Sequence, residues 1–241
     1  MKALIDADIV AYRIACTLDE DDAEDFAYAR AEDLIDQILV NTNATEYHLY
    51  LTGKDNFRYT IYPEYKAHRP KEKPFWLEKC RQYLIATFNA EVINGQEADD
   101  AMGIAQTDDT VICSIDKDLL MIPGRHYNFV KDEWVFQTEY DAVKHFYKQC
   151  LMGDRADNIK GIEGIGTKKA DKLLDDCYTE LEMFTVVRDA YSNDEEFIMN
   201  GKVLWIRRKP NEDWRDIFNA LVQEQAGREG LGSTEEEVSV S

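Results

Sequence analysis

Carboxylates recur in this chain just past short apolar runs. Asp6 and Asp8 follow KALI, Glu97, Asp99 and Asp100 follow AEVI after a short turn, and Asp116 and Asp118 follow TVICSI. A further pair, Asp154 and Asp157, is spaced i, i+3, which on a helix points both from one face. Brought together without a cation, so many carboxylates would raise one another's pKa and oppose the compact state. A hard, oxygen-ligated divalent ion resolves the conflict, and Mg²⁺ or Mn²⁺ suits a set of carboxylates with no His or Cys nearby in sequence. Two such ions roughly 4 Å apart are the usual clamp for in-line displacement at a phosphoester. Each cluster alone also reads as a helix N-cap or first-turn acid that favours the macrodipole; the recurrence of clusters is what points to a metal centre.

The apolar runs are the elements that must position these acids. KALI reads as a strand leading into a helix, residues 23–41 carry Phe26, Ala29, Leu34, Ile38 and Leu39 at helical spacing, and TEYHLYLT alternates as a strand does. Residues 75–88 form an amphipathic helix, AEVI a strand, EADDAMGIAQ a helix and TVICSI a strand, while HYNFV and EWVFQ flank Lys131 and Asp132 as a hairpin. Strands alternating with helices predict an α/β fold around a mostly parallel sheet, whose strand carboxyl ends face one edge where ligand sites collect. From about residue 139 the pattern is helical. The expected division is an α/β lobe over 1–143, a helical lobe over 144–228 packed on it, and an acidic, disordered tail over 229–241 that lacks a core pattern.

Two basic stretches stand out. FRYTIYPEYKAHRPKEKP interleaves Arg58, Lys66, Arg69, Lys71 and Lys73 with Tyr62, Tyr65 and His68, a pattern that suits single-stranded nucleic acid and equally a charged loop with packed tyrosines. LMGDRADNIKGIEGIGTKKADKLL reads as two helical stretches joined by Gly161, Gly164 and Gly166 and their neighbours. Its glycines permit close backbone approach to a phosphate, and Thr167, Lys168 and Lys169 open the next helix as an anion site; the plainer alternative is a tight helix-helix turn with exposed lysines. The order G-x-x-G-x-G with no preceding strand is not a dinucleotide fingerprint.

The chain has 241 residues, 44% of them apolar, and a formal net charge of −20. A largely disordered chain is excluded, and the longest apolar windows fall far short of the roughly 20 residues of a membrane span. MKALIDAD lacks the apolar core of a secretory signal, and five widely spaced cysteines without C-x-x-C suggest reduced cytosolic thiols rather than disulfides or zinc, so a cytoplasmic location is expected; a monomer is expected as well. The acidic excess argues against nucleic acid in sum. Its distribution does not, because acid concentrates over 18–36 and in the tail, whereas Lys and Arg gather over 58–73 and 160–172.

LIDADIVAYR, FRYTIYPEYKAHRP, EADD, SIDKD and LMGDRADNIKGIEGIGTKKA, in this order across most of residues 2–175, resemble the 5′ nucleases: flap endonucleases, the 5′ exonuclease domains of bacterial DNA polymerases and, most of all, bacteriophage 5′-3′ exonucleases. The last segment is close to that family's helix-three-turn-helix signature, at about 150–175. The resemblance implies a PIN-like nuclease domain with a helical DNA-binding lobe, and a two-metal phosphodiesterase that cuts DNA at 5′ ends, nicks or flaps, with an RNA-DNA hybrid a further candidate substrate in the host cytoplasm. By motif position Asp6, Glu97, Asp99, Asp116 and Asp118 would hold two Mg²⁺ or Mn²⁺, Asp100 would support them, Asp154 and Asp157 would complete the second site, and Asp8 is a further candidate. Lys66 and Arg69 would stabilise charge on the scissile phosphate, Tyr65 would stack on the terminal base, and Arg58, Lys71, Lys73, Lys160 and the Gly161 to Lys169 loop would meet DNA, the loop with K⁺. One departure is Thr52, which stands where the family carries an Asp, and Asp8 or Asp55 is expected to replace it in the outer coordination shell. The rival readings are a PIN-type endoribonuclease and a non-catalytic DNA-binding relative.

Overall fold

The computed structural model describes residues 1–238, with side chains described through residue 228. The expectation for 229–241 therefore concerns side chains outside the described set and, from 239, backbone outside it as well. The first half alternates as predicted: β1 (Lys2–Asp6), α1 (Ala7–Ala15), α2 (Glu24–Thr42), β2 (Glu46–Thr52), a short α3 (Arg58–Ile61), α4 (Leu77–Phe88), β3 (Glu91–Ile93), α5 (Ala98–Ala105) and β4 (Thr110–Cys113). A 3-10 helix (Lys117–Met121), β5 (Gly124–Asn128) and β6 (Glu133–Gln137) follow, then α6 (Glu139–Met152), β7 (Gly153–Asp154), β8 (Ile159–Lys160), α7 (Thr167–Leu174), α8 (Glu180–Ala190), α9 (Asp194–Leu204) and α10 (Trp214–Val238).

Six strands form one sheet in the order β3-β2-β1-β4-β5-β6, parallel except for the final hairpin. The chain leaves β1 for β2 on one side and returns through β3 to β4 on the other. The connections therefore diverge between β1 and β4, and a crevice opens past their carboxyl ends. Residues alternate faces along each strand, so the sheet has two cores. Ala3, Ile5, Leu49, Leu51, Val111 and Cys113 pack with α1, α2 and α4, whereas Leu4, Tyr50 and Ile112 pack with residues of α5, α6, α8, α9 and α10. The helical second half thus shares a core with one face of the sheet.

One sequence expectation changes here. Residues 154–160 are not helical: α6 ends at Gly153, whose φ of +69° is left-handed, and β7 and β8 form a two-residue antiparallel pair. A Cβ on Gly153 or Gly161 would run into the backbone of the other arm, so the two glycines allow the close approach, and Gly161 serves chain packing rather than an open anion loop. The basic, apolar KVLWIRRK closes α9 and then packs inward. Trp205 is buried, the Arg207 guanidinium lies over the Phe57 ring, and Arg208 pairs with Glu139.

Arg58 locks these parts together. It is 2% exposed, and its Nη1 and Nη2 donate to Asp100 Oδ2 and Oδ1 at 2.5 and 2.9 Å. Its Nε and Nη2 also reach the carbonyls of Val203 and Trp205. Asp100 takes two more bonds from the amides of Glu97 and Arg207, so both of its oxygens are spent inside the core. Burial alone would raise the Asp100 pKa, but the guanidinium overrides it and holds the carboxyl below its ordinary value. Neither residue faces solvent, so Arg58 is not among the DNA contacts that the resemblance implies, and Asp100 can act on a metal only through the Glu97 amide it accepts. Removing one partner of such a buried pair strands the other charge, so Arg58→Ala or Asp100→Ala should cost about 3–5 kcal/mol in urea unfolding, with little recovery from Arg58→Lys.

Candidate active site

The acids past the strand ends serve first as helix caps. Asp6 Oδ1 accepts from Ile9 N at 3.1 Å at the start of α1, and Asp116 Oδ1 accepts from Asp118 N at 2.9 Å at the start of the 3-10 helix. Glu97 is the N-cap of α5, with Asp100 Oδ2 accepting its amide. Capping and site building are one arrangement here, because a capping bond fixes the carboxylate at the strand end where the crevice opens. Ser114 ties two caps together: its hydroxyl donates to Asp6 Oδ2 at 2.7 Å and accepts from Asp116 N at 3.0 Å.

Around this edge lies a cleft of about 480 Å³, lined by Asp99, Asp116, Asp118, Asp154 and Asp157, with Lys66 and Arg69 on one lip and Gly166 and Thr167 of the α7 start on another. Oxygens of Asp118, Asp154 and Asp157 lie within 4.8 Å of one another. Asp154 and Asp157 meet not across a helix face but around the turn between β7 and β8. The Asp154 Oδ1 bond from Ala156 N, at 2.6 Å, sets that turn. Asp99 is half-buried and has no hydrogen-bond donor among the described residues.

Crowding shows in the titration of these groups. Burial pushes Asp6 up to about 7, with Asp8 and Asp116 adding to the shift against the bonds from Ser114 and Ile9. Burial, then Asp6 and Asp116, raise Asp99 well above the ordinary carboxylate range. Asp116 is raised by burial, with Asp157 and Asp154 adding and the Asp118 amide opposing. Asp118 is pushed up to about 8 by burial, then Asp116 and Asp154. Carboxylates that hold protons this far up, beside one with no donor, fit a hard divalent cation as their missing neighbour.

On the other side of the cleft a basic turn leans on the acids. Lys66 has a φ of +55°, its amide donates to Asp157 O, and its Nζ donates to Glu97 Oε1 at 2.5 Å and lies 3.6 Å from Asp157 Oδ2. Arg69 Nη2 donates to Asp157 Oδ1 at 2.5 Å. Burial opposes the charge on Lys66, but Glu97 and Asp157 outweigh it and raise its pKa. Tyr65, 2% exposed, turns its hydroxyl toward Glu97 Oε2 and Asp157 Oδ2 at 2.9 and 2.8 Å. Its ring is buried here, so the stacking on a terminal base suggested by the sequence does not fit this conformation; it braces two carboxylates instead.

Of the remaining candidates, Asp8 is engaged elsewhere: it pairs with Arg81 and accepts from Thr52 N at 2.7 Å. Thr52 Oγ1 accepts from Ala98 N at 3.0 Å, so the residue at the family's usual acid position helps start α5. Asp55 sits exposed in a turn with a φ of +62°. Lys71 and Lys73 are exposed in the irregular segment between α3 and α4, and Lys168 and Lys169 are exposed on the first turn of α7. Lys160 and His68 line a neighbouring recess with Arg155. Gly164, φ +75°, and Gly166 are open to solvent. Three contributors were missed in the sequence. Ser114 stood inside SIDKD as an unremarked hydroxyl, while Arg81 and Gln149 lay on helix faces that carry no local signal.

With no metal bound, the folded protein holds protons on Asp6 and Asp118 up to about 7 and 8, against 3.8 for an ordinary Asp. The folded state then binds more protons than the unfolded chain between about pH 4 and 8, so this contribution to stability is present at low pH and lost as pH rises through the window. In EDTA the urea midpoint should fall between pH 5 and pH 8, less steeply in Asp118→Asn, and Mg²⁺ should remove the fall. A wild-type midpoint that rises over that range in EDTA would contradict the assignment.

No protein-family model matches the chain. Among curated proteins it is 32% identical over 139 residues to a 5′-3′ exonuclease of Mycoplasmopsis pulmonis, covering 49% of this chain and 46% of that one. It is 33% identical over 175 residues to DNA polymerase I of Caldicellulosiruptor bescii, covering 60% of this chain and 20% of the polymerase. A flap endonuclease Xni of Pseudoalteromonas translucida matches at 25% over 187 residues, 69% of each chain. The chain thus spans about half or less of the length of the first two of these relatives. Among solved structures, bacteriophage T5 5′-exonuclease with bound zinc superposes with a TM-score of 0.65 at 17% identity, covering 85% of this chain and 89% of that one. By sequence this chain is similar to a 5′-3′ exonuclease, a flap endonuclease and DNA polymerase I, and its fold is that of the T5 5′-exonuclease.

Proposed function

We propose that this protein is a structure-specific 5′ nuclease, a divalent-metal-dependent phosphodiesterase that hydrolyses DNA near 5′ ends, nicks or flaps. The observation that carries the reading is the convergence of Asp99, Asp116, Asp118, Asp154 and Asp157 in one cleft, beside Asp6, with Lys66 and Arg69 on its lip. Asp6, Glu97, Asp99 and Asp116 would hold one Mg²⁺ or Mn²⁺, and Asp118, Asp154 and Asp157 a second. Bound there, such ions lower the pKa of an attacking water and neutralise the leaving oxygen of a phosphodiester.

The chain's own residues do the rest. Lys66 and Arg69 now neutralise Glu97 and Asp157. Once the carboxylates are otherwise neutralised, both cations are released toward a phosphate in the cleft, where charge develops during displacement. Tyr65 holds Glu97 and Asp157 in register. The start of α7, with Gly166, Thr167, Lys168 and Lys169 exposed on it, offers amides and ammonium groups to the duplex backbone downstream, with K⁺ at the Gly164 turn and α6 to α10 as the DNA-facing lobe. Lys71, Lys73 and Lys160 extend the basic track. We read the protein as a cytoplasmic monomer that also accepts RNA-DNA hybrids.

The test is cleavage of a 5′-labelled flap duplex in Mg²⁺, with matched single-stranded RNA beside it. Wild type should cut near the junction or the 5′ end, and Asp116→Ala should lose at least about 100-fold in rate, as should wild type in EDTA, since removing one electrostatic stabiliser of this kind costs about that much. Cutting of the RNA alone would move the assignment to a PIN-type ribonuclease, and silence on both with tight flap binding to a non-catalytic relative.

A further inference from the structure

One buried oxygen at the cleft has no donor. Gln149, on α6, is 5% exposed and lines the same cleft as Asp118, Asp154 and Asp157. Its Nε2 donates to Asp118 Oδ1 at 2.5 Å, while its Oε1 is buried without a partner. The other unpartnered buried side-chain atoms among the described residues are all nitrogens: Asn56 Nδ2, His145 Nε2, Arg208 Nε and Trp214 Nε1. With Asp118 ionised, as a bound cation would keep it, turning the carboxamide over would set Oε1 against the carboxylate, acceptor on acceptor, so Nε2 is the end that faces Asp118. A buried acceptor left in this state in a polar cleft calls for a water or an ion that completes it.

We propose that Gln149 is a positioning residue of the cation site at Asp118, Asp154 and Asp157. Its Nε2 fixes the Asp118 carboxylate, and its Oε1 is the neutral oxygen that meets a hydrated divalent ion held by the three acids. A carboxamide suits the place for a reason of charge. The three acids already repel one another, so a fourth carboxylate would add to the strain of the metal-free state, and an ammonium would repel the incoming ion. A neutral group that donates at one end and accepts at the other anchors the acid and serves the ion at once. This role rests on the metal-dependent reading above.

The test is Mn²⁺ binding to the full chain without DNA, followed by calorimetry and by the electron paramagnetic signal of free Mn²⁺, with thermal melts in EDTA and in Mn²⁺. Gln149→Leu should weaken one of two bound ions by roughly 10- to 100-fold and leave the other unchanged. Gln149→Glu should cross over: it should melt below wild type in EDTA and gain more from Mn²⁺ than wild type does. A group that merely packs would produce no such crossing, and this arm decides the matter if the Leu variant does not fold. Wild-type Mn²⁺ affinity in Gln149→Leu, or a Mn²⁺ gain in Gln149→Glu no larger than that of wild type, overturns the role while leaving the nuclease reading intact. A wild type that takes up no Mn²⁺ overturns both.

Discussion

Repulsion among carboxylates at one sheet edge is the constraint on which the rest of this structure turns. Asp6, Asp99, Asp116 and Asp118 hold protons above their ordinary range because each is buried beside others of its kind. The fold does not relieve the crowding by moving the acids apart. It holds them there through bonds their backbone neighbours need in any case: the caps of α1 and the 3-10 helix, the Ser114 bridge and the turn at Asp154. Local folding requirements and site geometry are satisfied by the same atoms, so the site is preorganised before any ligand arrives.

What balances the acids is distributed by function. Asp100 is neutralised permanently by Arg58 in the core, where the pair joins α3, α5 and the chain after α9. Asp8 is neutralised by Arg81 on α4, away from the cleft. Glu97 and Asp157 are neutralised by Lys66 and Arg69, which sit on a turn at the surface. The bidentate Arg58–Asp100 pair in the core is fixed, whereas Arg69, half-exposed on its turn, is freer to leave Asp157. Acids near the same edge thus divide into structural and chemically available groups according to the mobility of their cations.

A net charge of −20 is compatible with the proposed action on DNA through the same division. Part of the acid is the cleft itself, which cations offset. Much of the remainder lies over 18–36, at the start of α2 and the segment before it, far in sequence from the lip that carries Lys66 and Arg69. Polyanion binding responds to the local field at the contact face more than to the total.

Much of this was legible in the sequence. The short apolar run KALI, the alternation of TEYHLYLT and the helical spacing between them determined a mostly parallel sheet, and with it an edge where Asp6, Glu97, Asp99, Asp116 and Asp118 had to gather. These are consequences of local pattern and strand polarity, which the chain carries along its length. Tertiary structure alone decided which polar groups were spent. Arg58 looked like a DNA contact until it met Asp100 across 42 positions. Tyr65 looked like a stacking ring until Glu97 and Asp157 closed over its hydroxyl, and the i, i+3 spacing of Asp154 and Asp157 signified a helix until Gly153 and Gly161 brought two chain segments into contact. Asp8 and Gln149 were likewise assigned by partners far away in sequence. Charge, burial and spare lone pairs are properties of neighbours, and neighbours exist only once the chain has folded.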